Sequence, residues 1–437
     1  MNRHATTAGW LSVLSMGLGQ FYNRQYIKGI LFLTFHISGL LLIFLKLKTH
    51  LIGLFTLGDQ GQHLVKVGRV YKSVDGDNSI FMMVFGVFSF FVVFVYLFVY
   101  YLNVRDAIAS GRKRDQGVAS ISFSKTAYNA FTNSFPWLLL AIPILGVLIF
   151  TVMPIIFTAL IAFTNYAGPN HIPPKNLVDW VGFETFIHLF TLNVWSNTFF
   201  GVLTWTLIWA FLATVTCYFG GILVALLINQ QGIRLKGMWR TIYIIPYAIP
   251  QFVSLLVFRN MLNEKFGPIN QYFRYFGLEG LPWLNDPFWA KVSVIVVNMW
   301  IGIPVSMVLV LGMLTTIPKD LYEAAEIDGA SPWMRFRSIT MPYILFATAP
   351  ILITQFAGNI NSFNVIFLLT GGRPVTADYN NAGATDLLVT WLYKLTLNLS
   401  QYNFAGALGI MIFLIIASIS IFSFTRTRSF REEDMIQ

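Results

Sequence analysis

Gln355, Asn359 and Ser362 recur at i, i+4 and i+7 in an otherwise apolar stretch. A helix there stacks these uncharged hydrogen-bonding side chains on one face, with Gly358 leaving space beside them. Such groups either hold a neutral, hydroxyl-rich molecule or fasten helices to one another. Asn361 and Asn364 fall off that face, and the fastening role suits them better. Tyr247 and Gln251 lie one turn apart beside Pro246 and Pro250. Those prolines free backbone carbonyls, which at membrane depth must face protein or a watery cavity. Trp300, Gly302 and Pro304 mark another kink.

Absences narrow the chemistry further. The long apolar runs hold no Asp or Glu in their interiors, and His36 is the one titratable candidate well inside. A proton- or sodium-coupled carrier usually meets its ion with a buried carboxylate, although broken-helix carbonyls can bind sodium. An ion-driven carrier is therefore the less favoured reading, and energy must come from a cytoplasmic partner. His36 reads as an interhelical hydrogen-bonding residue. Cys217 is the sole cysteine, so one chain can build neither a disulfide framework nor a cysteine metal site; a small packing role fits it. Gly17-x-Gly19-Gln20-x-Tyr22-Asn23, with Lys28-Gly29, lacks the flanking strand and Lys-Ser/Thr ending of a phosphate loop and reads as structural. No catalytic cluster emerges.

The elements that must position these groups are membrane helices. Of 437 residues, 56% are hydrophobic and 11% charged, against roughly 25% charged in a soluble domain. Apolar stretches of spanning length fall near 27–46, 79–102, 136–164, 197–229, 240–260, 290–316, 344–369 and 404–425, about eight in all. Residues 20–28 are too polar to cross and belong at the interface. No apolar run ending in a small-residue cleavage site opens the chain, so no cleaved signal peptide is expected. The net charge of +10 is spread over short loops instead of forming one stripe, which argues against nucleic acid and for membrane orientation.

With both termini in the cytoplasm, the inner segments hold Arg105, Arg112, Lys113, Arg114 and Lys125, then Arg234, Lys236 and Arg240. Lys319, Arg335 and Arg337 follow, and Arg426, Arg428 and Arg431 close the series. The run 112–114 reads as a topology signal and an anchor to anionic membrane lipid. The first outer loop, with Lys46, Lys48, Lys66, Arg69 and Lys72, breaks the pattern. Organisation falls into an N-terminal two-span extension with its linker, 1–135, and a six-helix core, 136–437.

Within that core, residues 318–342 form a helix–turn–helix on the cytoplasmic side. Leu321 to Ile327 are good helix formers, stopped at Asp328-Gly329, where glycine takes a left-handed cap. Ser331 suits an N-cap and Pro332 the first position of the next helix, whose apolar face is Trp333, Phe336 and Ile339 and which Pro342 ends.

This string resembles the Glu-Ala-Ala loop of bacterial ABC importer permeases at Glu323, Ala324, Ala325, Gly329, Ile339 and Pro342, with Met341 in a Leu position. Asp328, Ala330, Trp333 and Phe336 resemble the sugar-importer branch. The likeness runs from about 136 to 425, including Val181 to Phe186, Asn197-Thr198 and Asp386 to Val389, and is nearest to the larger permease of maltose/maltodextrin importers.

The resemblance implies an all-α polytopic membrane protein with an ABC type I importer core, placed in the bacterial cytoplasmic membrane. It implies a second homologous permease, two copies of an ATPase subunit and an extracytoplasmic sugar-binding protein as partners. ATP and magnesium would sit on the ATPase, leaving this chain without a cofactor and without enzymatic activity. Glu323, Ala324, Ala325, Asp328 and Gly329 would couple to that ATPase. An oligosaccharide would meet Tyr247, Gln251, Gly302, Gln355, Gly358, Asn359 and Ser362. Tyr247, Gly302 and Asn359 keep the residue types of the enteric maltose permease; Gln251, Gln355, Gly358 and Ser362 do not, and Val305 replaces a tyrosine. Loop 165–196 is too short for the large external domain of the enteric protein, and Arg373 stands where many relatives have glycine. The alternatives are an ion-coupled sugar carrier or an ABC permease for another sugar.

The orientation makes a direct prediction. A cysteine at Lys319 should resist an impermeant thiol reagent in intact cells, whereas labelling there from outside would invert the topology and displace the coupling loop from the ATPase side.

Overall fold

A computed structural model describes residues 3–67, 69–118, 123–230 and 232–426; Arg428 and Arg431 of the expected basic C-terminal series lie outside them. Seven described helices are long and apolar enough to span a bilayer, or eight if one bent pair counts as a span. The chain divides into two compact units, Met1–Gly182 and Phe183–Gln437.

The first unit contains α1 (Arg3–Leu14), α2 (Leu18–Tyr22), α3 (Tyr26–Thr56), strands β1 (His63–Val67) and β2 (Val70–Val74), α4 (Ser79–Asp115), α5 (Phe123–Thr132) and α6 (Phe135–Ile161). The division falls after Gly182, not near 135, because α6 packs on α4 and the next loop is tied back to the same unit. Val178 N–H donates to Ser79 Oγ at 3.0 Å and the Trp180 indole to the Phe55 carbonyl at 3.1 Å. Strands β1 and β2 form an antiparallel hairpin with His63 opposite Val74, inside the first outer loop.

Within residues 20–28 the polar side chains Gln20, Asn23 and Lys28 are packed into the fold, while Arg24, Tyr26 and Ile27 are exposed. Gln20 donates to the Asn103 carbonyl at 3.0 Å, Asn23 to the Ala107 carbonyl at 2.9 Å, and Lys28 pairs with Asp106 at 3.0 Å. A Cβ at Gly17 would strike the Gly29 carbonyl, and one at Gly19 the Ala8 carbonyl. The glycine motif is thus structural, seating α1 and α2 on the last third of α4. Of the basic run, Arg114 is not left to lipid, because it donates to the Tyr22 carbonyl at 2.7 Å and stacks on the Tyr22 ring. His36 accepts its interhelical role, with Tyr96 Oη 2.7 Å from Nδ1 between α3 and α4.

The second unit contains α7 (Glu184–Thr191), α8 (Asn193–Asn229), α9 (Lys236–Ala248), α10 (Gln251–Met261), α11 (Pro268–Tyr275), α12 (Pro287–Thr316), α13 (Lys319–Ile327), α14 (Pro332–Ile360), α15 (Phe363–Leu369), α16 (Leu388–Leu397) and α17 (Tyr402–Thr425). Its centre is the crossing of α8 with α12. Lipid offers helices no hydrophobic drive to associate, so close backbone approach through small residues must supply the contact. A Cβ at Gly221 would strike Ser306, one at Gly220 Ile303, and one at Gly302 the sulfur of Cys217. Around this seam lie Trp209, Leu255, Val294 and Ile366 on one side, and Tyr218, Met307 and Ile344 on another.

Pro342 does not end its helix. A π turn over Phe336–Thr340 precedes it, and the helix continues to Ile360. Proline removes one N–H and crowds the carbonyl four residues back; widening the preceding turn accommodates both effects. The same arrangement occurs at Leu148–Val152 ahead of Pro154.

Between α15 and α17 sits a buried ionic knot. Asp386, with no exposed surface, accepts from Lys394 Nζ at 2.6 Å, from the Gly383 N–H at 2.7 Å and from Thr390 Oγ1 at 2.8 Å. Removing one partner of such a pair strands the other charge, at a cost of about 3–5 kcal/mol. Asp386→Ala should lower the unfolding midpoint in detergent strongly, and Asp386→Leu combined with Lys394→Met should recover most of the loss. A single variant that melts with the wild type would show the knot to be dispensable.

Candidate functional site

Gln355 and Asn359 lie one turn apart on α14, both partly buried. The Asn359 amide nitrogen donates to Thr214 Oγ1 on α8 at 2.9 Å, and the Trp209 indole donates to the Asn359 carbonyl at 3.1 Å. Asn359 therefore fastens α14 to α8 while its side-chain oxygen remains for another partner. The sequence held no signal for Thr214 or Trp209, which sit inside an unbroken apolar run. Gly358 is exposed and a Cβ there meets nothing within 4 Å, so the space beside the amides is present.

Ser362 does not share their face. The helix ends at Ile360; Asn361 (φ −97°, ψ 22°) and Ser362 (φ −72°, ψ 83°) form a break before α15. Asn and Ser compete with helical hydrogen bonding and favour such breaks. The N–H groups of Asn361 and Ser362 donate to the Gly358 and Asn359 carbonyls, which tightens the last turn. Asn361 and Asn364, assigned to fastening, are exposed instead.

Tyr247 and Gln251 are not one turn apart on a helix. They straddle a bend of 86° between α9 and α10. Pro250 bars the residue before it from helical geometry, so Ile249 is extended (φ −80°, ψ 130°) and Gln251 opens the next helix. Tyr247 is 65% exposed, so its ring is available to a ligand or a partner chain. Pro246 stays within α9 without breaking it. Gly302 faces Cys217 on α8 and not an open space, so its lack of a side chain serves helix packing.

The loop of residues 318–342 has the expected helix–turn–helix, with the second helix running on past Pro342. Gly329 takes φ +76°, with Gly329 and Ala330 N–H groups donating to Glu326 and Ala325. Ser331 caps α14 by accepting the Met334 N–H, and Arg335 pairs with Glu326 at 3.2 Å across the turn. Glu323, Ala324, Asp328 and Gly329 are exposed, Ala325 is partly buried, and Ile327 stands 87% exposed beside them. An exposed face with an apolar anchor on a short helix suits docking into another protein's groove.

These features define a class. The chain belongs to the family of binding-protein-dependent transport system inner membrane components, whose profile matches residues 218–428. It is a permease subunit of an ATP-driven sugar importer, a multi-pass membrane protein whose ATP is hydrolysed by a separate ATPase. It is 41% identical to the galactooligosaccharides transport system permease protein of Bacillus subtilis (strain 168), covering 99% of this chain and 100% of that one. It is 38% identical to the maltodextrin transport system permease protein of the same strain, covering 100% of both. The maltose/maltodextrin transport system permease protein of Escherichia coli (strain K12) is 34% identical over 60% of this chain and 51% of its own. In architecture, the chain is similar to a chain of a bacterial alginate ABC transporter, solved in complex with its pentasaccharide-bound periplasmic protein. That likeness has a TM-score of 0.57 at 24% identity, over 68% of this chain and 96% of that one.

The geometry separates two roles that the sequence merged. Gln355→Leu should lower uptake several-fold without changing stability. Asn359→Leu should lower uptake and also lose the bond to Thr214, a neutral hydrogen bond contributing about 0.5–1.5 kcal/mol. Thr214→Val should reproduce the stability loss alone, and Asn361→Leu neither effect. Equal transport by Thr214→Val and Asn359→Leu complexes would make Asn359 a fastener only.

Proposed function

We propose that the chain forms half of the translocation path for a maltodextrin-type oligosaccharide, paired with a second homologous permease, with both termini cytoplasmic. The observation that carries the reading is the face of α14, where uncharged amides at Gln355 and Asn359 adjoin the open space at Gly358. A neutral sugar needs donors and acceptors without net charge, since an unpaired charge at membrane depth is costly. Asp and Glu within the described spanning helices are confined to Asp106 and Asp115 in the last third of α4, so ion coupling along the α14 face has no carboxylate to use. A full-length likeness to a maltodextrin permease at 38% identity supports the cargo class. A galactooligosaccharide is the second reading, favoured by the 41% identical relative.

On the other side, the exposed Glu323, Ala324 and Gly329 face receives the ATPase, and Tyr247 and Gln251 at the α9–α10 bend contribute contacts to the sugar. Cells lacking the gene should lose uptake of labelled maltotriose and keep uptake of a galactosyl trisaccharide; the opposite pattern would reassign the cargo. Glu323→Lys or Gly329→Asp should abolish uptake and co-purification of the ATPase while leaving insertion intact. Wild-type transport by either variant would remove the docking assignment.

A further inference from the structure

The coupling helix is joined to α14 by more than the intervening turn. Tyr322, half-buried beside the exposed Glu323 and Ala324 on α13, places its hydroxyl 2.8 Å from Thr340 Oγ1. Thr340 is 5% exposed and ends the π turn over Phe336–Thr340. The Glu326–Arg335 ion pair spans the same two helices but is largely exposed on the glutamate side, where solvent screens it. The hydroxyl pair is the sheltered link. From Thr340 the helix runs without a break to Asn359, about 28 Å at 1.5 Å per residue.

We propose that Tyr322 is a positioning residue for energy coupling: its hydrogen bond to Thr340 clamps α13 to the π turn, so that displacement of the coupling helix moves α14 as one body. Without the clamp, α13 pivots about Asp328–Gly329, where the glycine is fully open to solvent-side space, and the motion is spent in the turn. The π turn is the part of α14 most able to yield, since it holds a wider, less regular hydrogen-bond pattern; anchoring at its last residue places the load beyond it. The proposal rests on α13 docking the ATPase.

The test uses the complete transporter in proteoliposomes with its binding protein. It reads uptake of maltotriose, or of a galactosyl trisaccharide if the unmodified transporter carries that, against ATP hydrolysed. Tyr322→Phe keeps the ring and removes the hydroxyl. It should retain the ATPase subunits on co-purification and lower sugar moved per ATP at least threefold. Thr340→Val should do the same, the double variant should be no worse than either, and Thr340→Ser should restore the ratio. An unchanged ratio in Tyr322→Phe would overturn the clamp, as would loss of the ATPase from that variant. Retention of the ATPase by Glu323→Lys would instead defeat the docking assignment beneath it.

Discussion

A bilayer interior supplies no water to hydrogen-bond exposed peptide groups, so every interruption of a spanning helix must find its partners within protein. That constraint governs where this chain departs from regular helix. At the end of α14, the Asn359 carbonyl is taken by both the tight turn and the Trp209 indole. At the α9–α10 bend, the Pro250 carbonyl receives the N–H groups of Val253 and Ser254. The π turns ahead of Pro154 and Pro342 keep their helices continuous where a proline would otherwise leave carbonyls stranded. Irregular backbone falls at positions assigned to cargo and coupling, and also at Leu148–Val152 and Ile43–Leu47 outside them.

The same residues can satisfy structure and function together because their atoms divide the work. Asn359 donates with its side-chain nitrogen to Thr214, while its backbone carbonyl accepts from Trp209. Tyr322 presents its hydroxyl inward to Thr340, while its neighbours Glu323 and Ala324 face outward. Successive helical positions are turned by about 100° from one another, so one turn of α13 can carry both the clamp and the docking surface.

Much of this was legible in the residues. Spans announced themselves by length and apolarity, and the capped turn at Asp328–Ser331 followed from glycine, serine and proline in fixed order. The breaks were less legible. Pro246, Pro304 and Pro350 sit inside helices that continue, whereas Pro250 marks an 86° bend and Asn361–Ser362 breaks a helix with no proline at all. Proline identity alone does not say whether neighbouring helices hold the backbone straight. Ser362 therefore does not share the face of Gln355 and Asn359, and Gly302, a candidate ligand position, packs closely against Cys217 of the neighbouring helix. Interhelical partners such as Thr214 are invisible to any one-dimensional pattern, since a threonine in an apolar run gives no hint of which helix it meets.

Gly302 and Gly358 stand in contrasting surroundings, and the contrast bears on how such a protein diversifies. At Gly302 any added atom collides with the cysteine of the neighbouring helix. A larger residue there demands a matching change at Cys217. At Gly358 nothing lies within 4 Å of an added Cβ. Single substitutions can accumulate at that position one at a time, each reshaping the lining while the helix seam holds. A side chain added there would change the surface of one short stretch of α14 without touching the α8–α12 seam.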